Sequence, residues 1–319
     1  MVLTSLMLTF LSLATATTTA DTLGSSLLLR RDDTVETLSK LWDFKGCVDG
    51  EKQAIKDALT EANKILLSPG TSDIGSRWDD YSVVEFFGPP VMLVQFRELI
   101  KTNFWNARNF VDHWWSGNQV QIFCHTKPDA ASCSNYPGFI KVERDGGTDD
   151  KLAMIFCSNW FELGTLDAVF SGSSTGPNKY DLAMYHNRAL HWVGAMMQMP
   201  TINSRNAKNM RNNILKFPTA NPEMNSREYV VGVERVKYLG KFYDNHLQRI
   251  TILSNIDTWS WYAMAAYVQD KLGEYPHRPQ VPSSLPSMQT GYVSLGNQTT
   301  DVDMPEDPVL VALEASLGE

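Results

Sequence analysis

The chain has 319 residues, a net charge of -8 and only 28 basic residues, together with 43% hydrophobic residues and 9 tryptophans. The basic residues form no cluster along the sequence, which argues against a nucleic-acid-binding surface, because phosphate affinity comes largely from grouped Lys and Arg. The apolar content predicts a single domain of roughly 250 residues, here residues 32–274, with one substantial core.

The N-terminal segment has the composition of a targeting sequence. Residues 1–16 combine an uncharged apolar run with the small-residue sequence Ala14-Thr15-Ala16, which is typical of a secretory signal peptide. Residues 17–31 end on Arg30-Arg31 and are interpreted as a short pro-segment, the alternative being an ordinary exposed Arg pair. No later stretch approaches the ~20 apolar residues of a membrane span. We therefore expect a secreted, extracellular protein without a membrane span.

Helices are predicted in the first third of the domain. Asp49 can cap a helix that ends before Pro69-Gly70, and its apolar residues recur at one-face spacing. These residues are Ile55, Leu59, Ala62 and Leu66. A second helix is predicted over residues 91–101, and residues 104–115 extend it or form another.

The middle of the domain changes to β-type patterns. Residues 120–124 alternate apolar and polar side chains, while residues 139–143 and 152–157 are β-prone, so a small sheet is expected. After a Gly/Ser-rich loop, a helix is predicted over residues 180–196, and a core helix rich in Trp, Tyr and Ala over residues 257–272. The fold class is therefore α+β.

The 180–196 helix is predicted to have two distinct sides. Its apolar stripe is formed by Leu182, Tyr185, Ala189, Val193 and Met196. The residues on its other side, expected to border a cleft, are Met184, Asn187, Arg188, His191 and Ala195.

The four cysteines are Cys47, Cys124, Cys133 and Cys157. An even number in an oxidising compartment predicts two disulfides, for which three pairings exist. The favoured pairing joins Cys124 to Cys133 across a local loop and Cys47 to Cys157 between the first helix and a central strand.

The C-terminal segment, residues 275–319, is rich in Pro, Ser, Thr, Asp and Glu and has no Lys or Arg after Arg278. This composition predicts a disordered acidic tail. Asn297 begins an Asn-Gln-Thr sequon, which makes it a candidate glycosylation site if the chain passes through the secretory pathway.

Four sequence strings carry a resemblance to a known family. They are Phe86-Phe87-Gly88, then Phe123-Cys124 with Cys133, then Ile155-Phe156-Cys157-Ser158-Asn159-Trp160-Phe161, and finally Asn255-Ile256-Asp257-Thr258-Trp259-Ser260-Trp261-Tyr262-Ala263. In their order and spacing they resemble secreted fungal zinc metallopeptidases of the deuterolysin and peptidyl-lysine type, and the related zinc-scavenging surface antigens. The resemblance implies a zincin-like fold with a former active-site helix and a C-terminal core helix.

The family's zinc motif, His-Glu-x-x-His, corresponds to Asn187-Arg188-Ala189-Leu190-His191. In the motif the two His lie on one helix face, bind zinc, and flank a Glu that takes a proton from the zinc-bound water. Here Asn187 is a poor zinc ligand, and Arg188 places a permanent cation at the Glu position, so no catalytic residue remains. The resemblance thus implies a degenerate site in which His191 alone survives.

Weaker metal-ligand candidates are His186, Glu234 and His246. On a regular helix His186 and His191 would be turned ~140° apart, so joint ligation would require a bulge. Glu234 is the carboxylate nearest to the place of the family's third ligand, and His246 lies in a polar stretch where an exposed histidine is the simpler interpretation. Zinc is therefore the one cofactor that the sequence suggests.

Other hydrolase classes are not predicted. No Gly-x-Ser-x-Gly elbow occurs, the cysteines are explained by disulfides, and His113 and His125 have no partner that the sequence identifies. Three hypotheses remain. The leading one is a catalytically degenerate protein that binds a peptide or a host or cell-surface ligand through its old cleft; the others are an active zinc peptidase with altered ligands, and a zinc-binding or zinc-scavenging protein.

Overall fold

A computed structural model describes most of the expected domain. The described residues are 41–112, 120–125, 133, 139–144, 152–203, 214–216, 227–241 and 246–280. The chain divides into two units after Asp33, and all described residues belong to the second. The predicted signal peptide and pro-segment, His113, Asn297 and the part of the predicted acidic tail beyond residue 280 lie outside the described residues.

The described part is α+β, as the sequence predicts. The strands are β1 (Leu41–Lys45), β2 (Val120–Cys124), β3 (Ile140–Arg144), β4 (Leu152–Phe156), β5 (Ile214–Lys216) and β6 (Arg227–Tyr229). The helices are α1 (Asp49–Leu66), α2 (Pro69–Ser72), α3 (Tyr81–Phe87), α4 (Arg97–Asp112), α5 (Ser158–Phe161), α6 (Leu166–Ser173), α7 (Arg188–Met197), α8 (Val233–Gly240), α9 (His246–Ser254) and α10 (Ile256–Leu272). Short 3-10 turns cover Ile74–Ser76, Pro90–Met92, Val94–Phe96 and Leu182–Tyr185.

The larger sheet has four strands in the order β1-β2-β4-β3. β1, β2 and β4 are mutually parallel, and β3 pairs with β4 in the antiparallel direction. The carboxyl ends of the three parallel strands therefore meet at one edge of the sheet. β5 and β6 form a separate two-stranded antiparallel sheet.

Helix α1 confirms its predicted apolar face. Ile55, Leu59 and Ala62 are completely buried, and the side-chain amine of Trp192 in α7 donates to the carbonyl oxygen of Ile55 at 3.1 Å. The predicted cap is wrong, because Val48 occupies the cap position and Asp49 is the first helical residue. The amide of Val48 donates instead to the Glu51 carboxylate at 2.9 Å, which satisfies one of the amides at this helix start.

The predicted disulfide pairing is wrong. Cys47 is bonded to Cys124, and Cys133 is bonded to Cys157. The reason is the parallel pairing of β1 with β2, which places the residues that follow β1 beside the end of β2. Local sequence does not specify that strand pairing, and the short separation between Cys124 and Cys133 therefore favours the wrong pair.

The helix predicted over residues 180–196 is also wrong at its start. The chain forms a 3-10 turn over Leu182–Tyr185, becomes extended at His186, and begins α7 only at Arg188 with Asn187 as its N-cap. The residues predicted to border a cleft, from Met184 to Ala195, therefore do not lie along one side of a single helix. Residues 189–197 are all buried, since α7 packs between α1 and α10.

Helix α10 lies at the centre of the core, as predicted. Trp259 and Tyr262 are fully buried and contact Phe87 and Phe104, with ring centroids 5.0–5.4 Å apart. Small residues allow close approach: a Cβ on Gly70 would lie 2.6 Å from the Cβ of Ala266. None of the helices in the described part of the chain is both long and apolar enough to cross a membrane.

Candidate functional site

The imidazoles of His186 and His191 meet directly. Their Nε2 atoms are 2.6 Å apart, although the residues belong to different backbone segments. His186 lies in the extended link before α7, and His191 lies in the first turns of the helix, so the regular-helix separation expected from sequence does not apply. The extended backbone at His186 and Asn187 brings together two rings that a continuous helix would separate.

Aromatic rings surround the pair. The ring of Phe139 stacks on His191 with centroids 4.1 Å apart and meets His186 edge-on at 5.1 Å, while Trp261 stacks on His186 at 5.9 Å. His191 is buried and His186 is half-buried. Burial lowers the pKa of His186, and burial together with the neighbouring His186 holds the pKa of His191 well below its usual range. Both rings are therefore neutral at pH 7, and one Nε2–H donates to the other Nε2.

Asn187 has a structural role at the start of α7. Its side-chain oxygen accepts from the amide of Leu190 at 3.1 Å, and its side-chain nitrogen donates to the carbonyl oxygen of Tyr185 at 2.7 Å. The side chain is fully buried. These bonds satisfy an otherwise free amide of the helix start and lock the preceding turn. The side chain of Asn187, which the resemblance would place as a zinc ligand, thus hydrogen-bonds to the backbone.

Arg188 is held by the α5 segment. Its guanidinium donates to the carbonyl oxygen of Phe161 and lies over the ring of Trp160, 5.5 Å from the centroid. The backbone of Arg188 makes two further bonds to α5 and the residues after it. Its amide donates to the carbonyl oxygen of Gly164 at 3.1 Å, and its carbonyl oxygen accepts from the side-chain N–H of Trp160 at 3.3 Å. A guanidinium has no basic lone pair at neutral pH, so it cannot take a proton from water.

These residues do not fit the zinc site that the resemblance implies. That site needs a ligand at position 187 and a proton acceptor at position 188. The structure gives a buried backbone-bonded amide at the first and a permanent cation at the second. The two His nitrogens that do converge come from a different pair of positions.

The structure does not show the other metal-ligand candidates, Glu234 and His246, beside the His186–His191 pair. Glu234 is exposed in the first turn of α8, and the side chain of His246 lies outside the described residues. Asp257 is a buried carboxyl that accepts from the amide of Gly232 at 2.8 Å, and burial raises its pKa to about 6. Its carboxylate anchors the start of α8 against α10.

Within the part of the chain that the structure describes, one group of three potential metal ligands lies within 4.8 Å: Cys47, Glu51 and Cys124. The two cysteines are joined in a disulfide, so neither offers a thiolate. Because zinc and other soft metals bind the thiolate form, this group is a poor metal site.

A second polar cluster involves residues that the sequence did not connect. His125 contacts the hydroxyl of Ser158 through Nδ1 at 2.9 Å and the carboxylate of Glu51 through Nε2 at 2.6 Å. His125 and Ser158 each follow a cysteine at the end of a strand, and this repeated position was the available signal. That signal predicts a contact between His125 and Ser158 only if β2 and β4 are known to pair in parallel.

Comparisons with models of protein families, with curated proteins and with solved structures find no match to this chain.

Proposed function

We propose that this chain is a secreted, peptidase-inactive protein of metallopeptidase-like ancestry and zincin-like fold that binds a peptide or cell-surface ligand instead of cleaving it. The observation that carries the proposal is the use of Asn187 and Arg188 in building the start of α7. Peptide hydrolysis by the family mechanism needs both positions free to act on a zinc-bound water. The four resolved half-cystines, bonded in two pairs, support an oxidising compartment.

The ligand is placed at the face formed by His186 and its neighbours. His186 is half-buried, Phe139 is partly exposed beside it, and Met184 is 46% exposed two residues earlier. Neutral imidazole, aromatic and thioether groups together suit the apolar or aromatic side chain of a peptide, with the ring nitrogens supplying hydrogen bonds.

The binding half of the proposal is tested with a displayed random-peptide library. Peptides enriched on the parent protein are measured against His186→Ala and against Trp105→Ala, which removes a 61% exposed tryptophan from α4. We expect binding to fall at least tenfold in His186→Ala and to persist in Trp105→Ala, because roughly 1.4 kcal/mol of lost contact is one decade in affinity. Equal binding by parent and His186→Ala would place the ligand elsewhere.

A second candidate function is zinc binding without hydrolysis. The convergence of the two Nε2 atoms favours it, because neutral imidazole nitrogens are common zinc ligands. Metal content measured by mass spectrometry, on protein purified without chelator, separates the two functions. Stoichiometric zinc that is lost in His186→Ala and His191→Ala but retained in Arg188→Ala supports zinc binding. A parent protein that contains no zinc would exclude zinc binding as the function.

A further inference from the structure

Three polar side chains meet at the edge where the parallel strands end. Glu51 follows β1, His125 follows β2 and Ser158 follows β4. These strands are adjacent in the sheet and run in the same direction, so the residues after them are neighbours in space. The carboxyl edge of parallel strands is the usual location of ligand and catalytic groups in such sheets.

The contacts form a continuous chain of hydrogen bonds. The Ser158 hydroxyl is 2.9 Å from Nδ1 of His125, and Nε2 of His125 is 2.6 Å from Oε1 of Glu51. The other carboxylate oxygen of Glu51 accepts from the amide of Val48, which fixes the carboxylate in orientation. With Nε2–H donating to Glu51, the lone pair of Nδ1 faces the serine hydroxyl.

Backbone geometry and covalent bonds hold these side chains in place. His125 has a φ of 71°, a left-handed conformation that is uncommon for residues other than glycine, and its amide donates to the carbonyl oxygen of Phe156 at 2.7 Å. Cys124, which is bonded to Cys47, directly precedes His125, and Cys157, which is bonded to Cys133, directly precedes Ser158. Conformations of this kind are concentrated at functional sites, where the surrounding structure enforces them.

We propose that Ser158, His125 and Glu51 form a nucleophilic serine site that hydrolyses carboxylic esters. Ser158 is exposed, so the site is open to solvent, and the ring of Phe161 lies 5.4 Å from that of His125 and offers an apolar contact to the ester. The proposal uses none of the residues around the histidine pair and is independent of the proposed ligand binding.

The reaction follows from the two hydrogen bonds. Oγ of Ser158 attacks the carbonyl carbon and forms a new C–O bond, while its proton moves to Nδ1 of His125. The bond to the alcohol then breaks, and His125 returns the proton to the alcohol oxygen as it leaves. Water attacks the acyl-serine in the same way and releases the carboxylic acid. Glu51 holds the imidazole in the required tautomer and stabilises its cation, as a positioning residue.

The site is tested with the complete mature chain, a rhodamine-tagged fluorophosphonate and p-nitrophenyl acetate. Variants are Ser158→Ala, His125→Asn, which suits the left-handed backbone, and Glu51→Gln, which can still accept from Val48. The matched control is Ser76→Ala, since Ser76 is exposed and its hydroxyl donates directly to the Asp73 carboxylate at 2.7 Å.

We expect the fluorophosphonate to be attached to the peptide that contains Ser158. Labelling and ester hydrolysis should both be abolished in Ser158→Ala, and both should fall at least about 100-fold in His125→Asn. Glu51→Gln should lower kcat at least about tenfold with KM little changed, and Ser76→Ala should match the parent. Labelling that is absent, that occurs at other residues, or that is unchanged in both His125→Asn and Glu51→Gln overturns the proposal and leaves a structural hydrogen-bond cluster.

Discussion

His186 and His191 place their Nε2 atoms 2.6 Å apart because His186 lies in the extended backbone before α7, whereas His191 lies within that helix. The contact depends on the N-cap, which ends the extended link and begins α7. The same cap occupies the position that the sequence resemblance aligns with the first zinc ligand of deuterolysin-type peptidases. Because Asn187 serves as the N-cap of α7, it cannot also serve as a zinc ligand in this chain.

The cap gives the first prediction. Asn187→Ala removes a bond to the Leu190 amide and leaves the Tyr185 carbonyl oxygen without its side-chain donor in a buried site. The free energy of unfolding should fall by about 2 kcal/mol, from the lost cap and the lost buried hydrogen bond. Urea unfolding of parent, Asn187→Ala and the exposed-site control Asn159→Ala measures this. An equal loss of unfolding free energy in Asn187→Ala and Asn159→Ala would show that Asn187 does not stabilise the start of α7.

Close packing of α7 on α10 gives the second prediction. A Cβ on Gly194 would lie 2.5 Å from Oγ of Ser260 and 2.9 Å from Cγ2 of Ile256. Gly194→Ala should therefore destabilise the protein by about 2 kcal/mol through overpacking. Ser260→Ala removes the nearer atom, so the double variant should recover part of the loss in a double-mutant cycle of thermal unfolding. Additive effects of the two changes would contradict this packing.

The buried carboxyl of Asp257 gives a pH prediction. Its pKa is raised from 3.8 to about 6, so between about pH 4 and pH 6 the unfolded chain loses this proton while the folded chain retains it. Stability from this group therefore falls as the pH rises through that window, by about 3 kcal/mol in total, and levels off above about pH 6.

Asp257→Asn keeps an oxygen that can accept from Gly232 and removes the titration. Urea unfolding of parent and variant between pH 4 and pH 7 should show the variant gaining stability relative to the parent as the pH rises. A stability difference that stays constant across the window would show that Asp257 ionises in the folded protein as it does in water.

The disulfide pairing gives a covalent prediction. A non-reducing peptide map should contain the Cys47 peptide linked to the Cys124 peptide, and the Cys133 peptide linked to the Cys157 peptide. Removing the Cys47–Cys124 bond should cost more stability, about 4 kcal/mol, since it closes the longer loop, 77 residues against 24. A map with Cys124 linked to Cys133 would contradict the sheet order.

Local patterns predicted most of the elements but not the long-range contacts. The apolar spacing of α1, the alternation of β2 and the composition of α10 depend on neighbouring residues, and these elements are confirmed. The break before α7 was missed because Leu182, Tyr185 and Ala189 happen to keep helical spacing across a non-helical link. The resemblance assigned Asn187 only the place of the motif's first histidine, whereas in the structure Asn187 is the N-cap of α7.

The Glu51–His125–Ser158 cluster depends on strand pairing, which the sequence did not specify. Nothing local to Glu51, His125 or Ser158 predicts that three separate strand ends adjoin. The same missing information produced the wrong disulfides. By contrast, residue chemistry alone shows that Arg188 cannot act as a proton acceptor, and the structure adds where its guanidinium is held.

Peptide-bond hydrolysis by the parent chain is the most direct measurement of the central claim. Fluorescein-labelled casein is incubated with the full chain, with and without added zinc, beside His191→Ala. The rate should equal the buffer rate in every case, because position 188 supplies no proton acceptor. A rate that zinc increases and His191→Ala abolishes would contradict it and show that the chain is an active metallopeptidase.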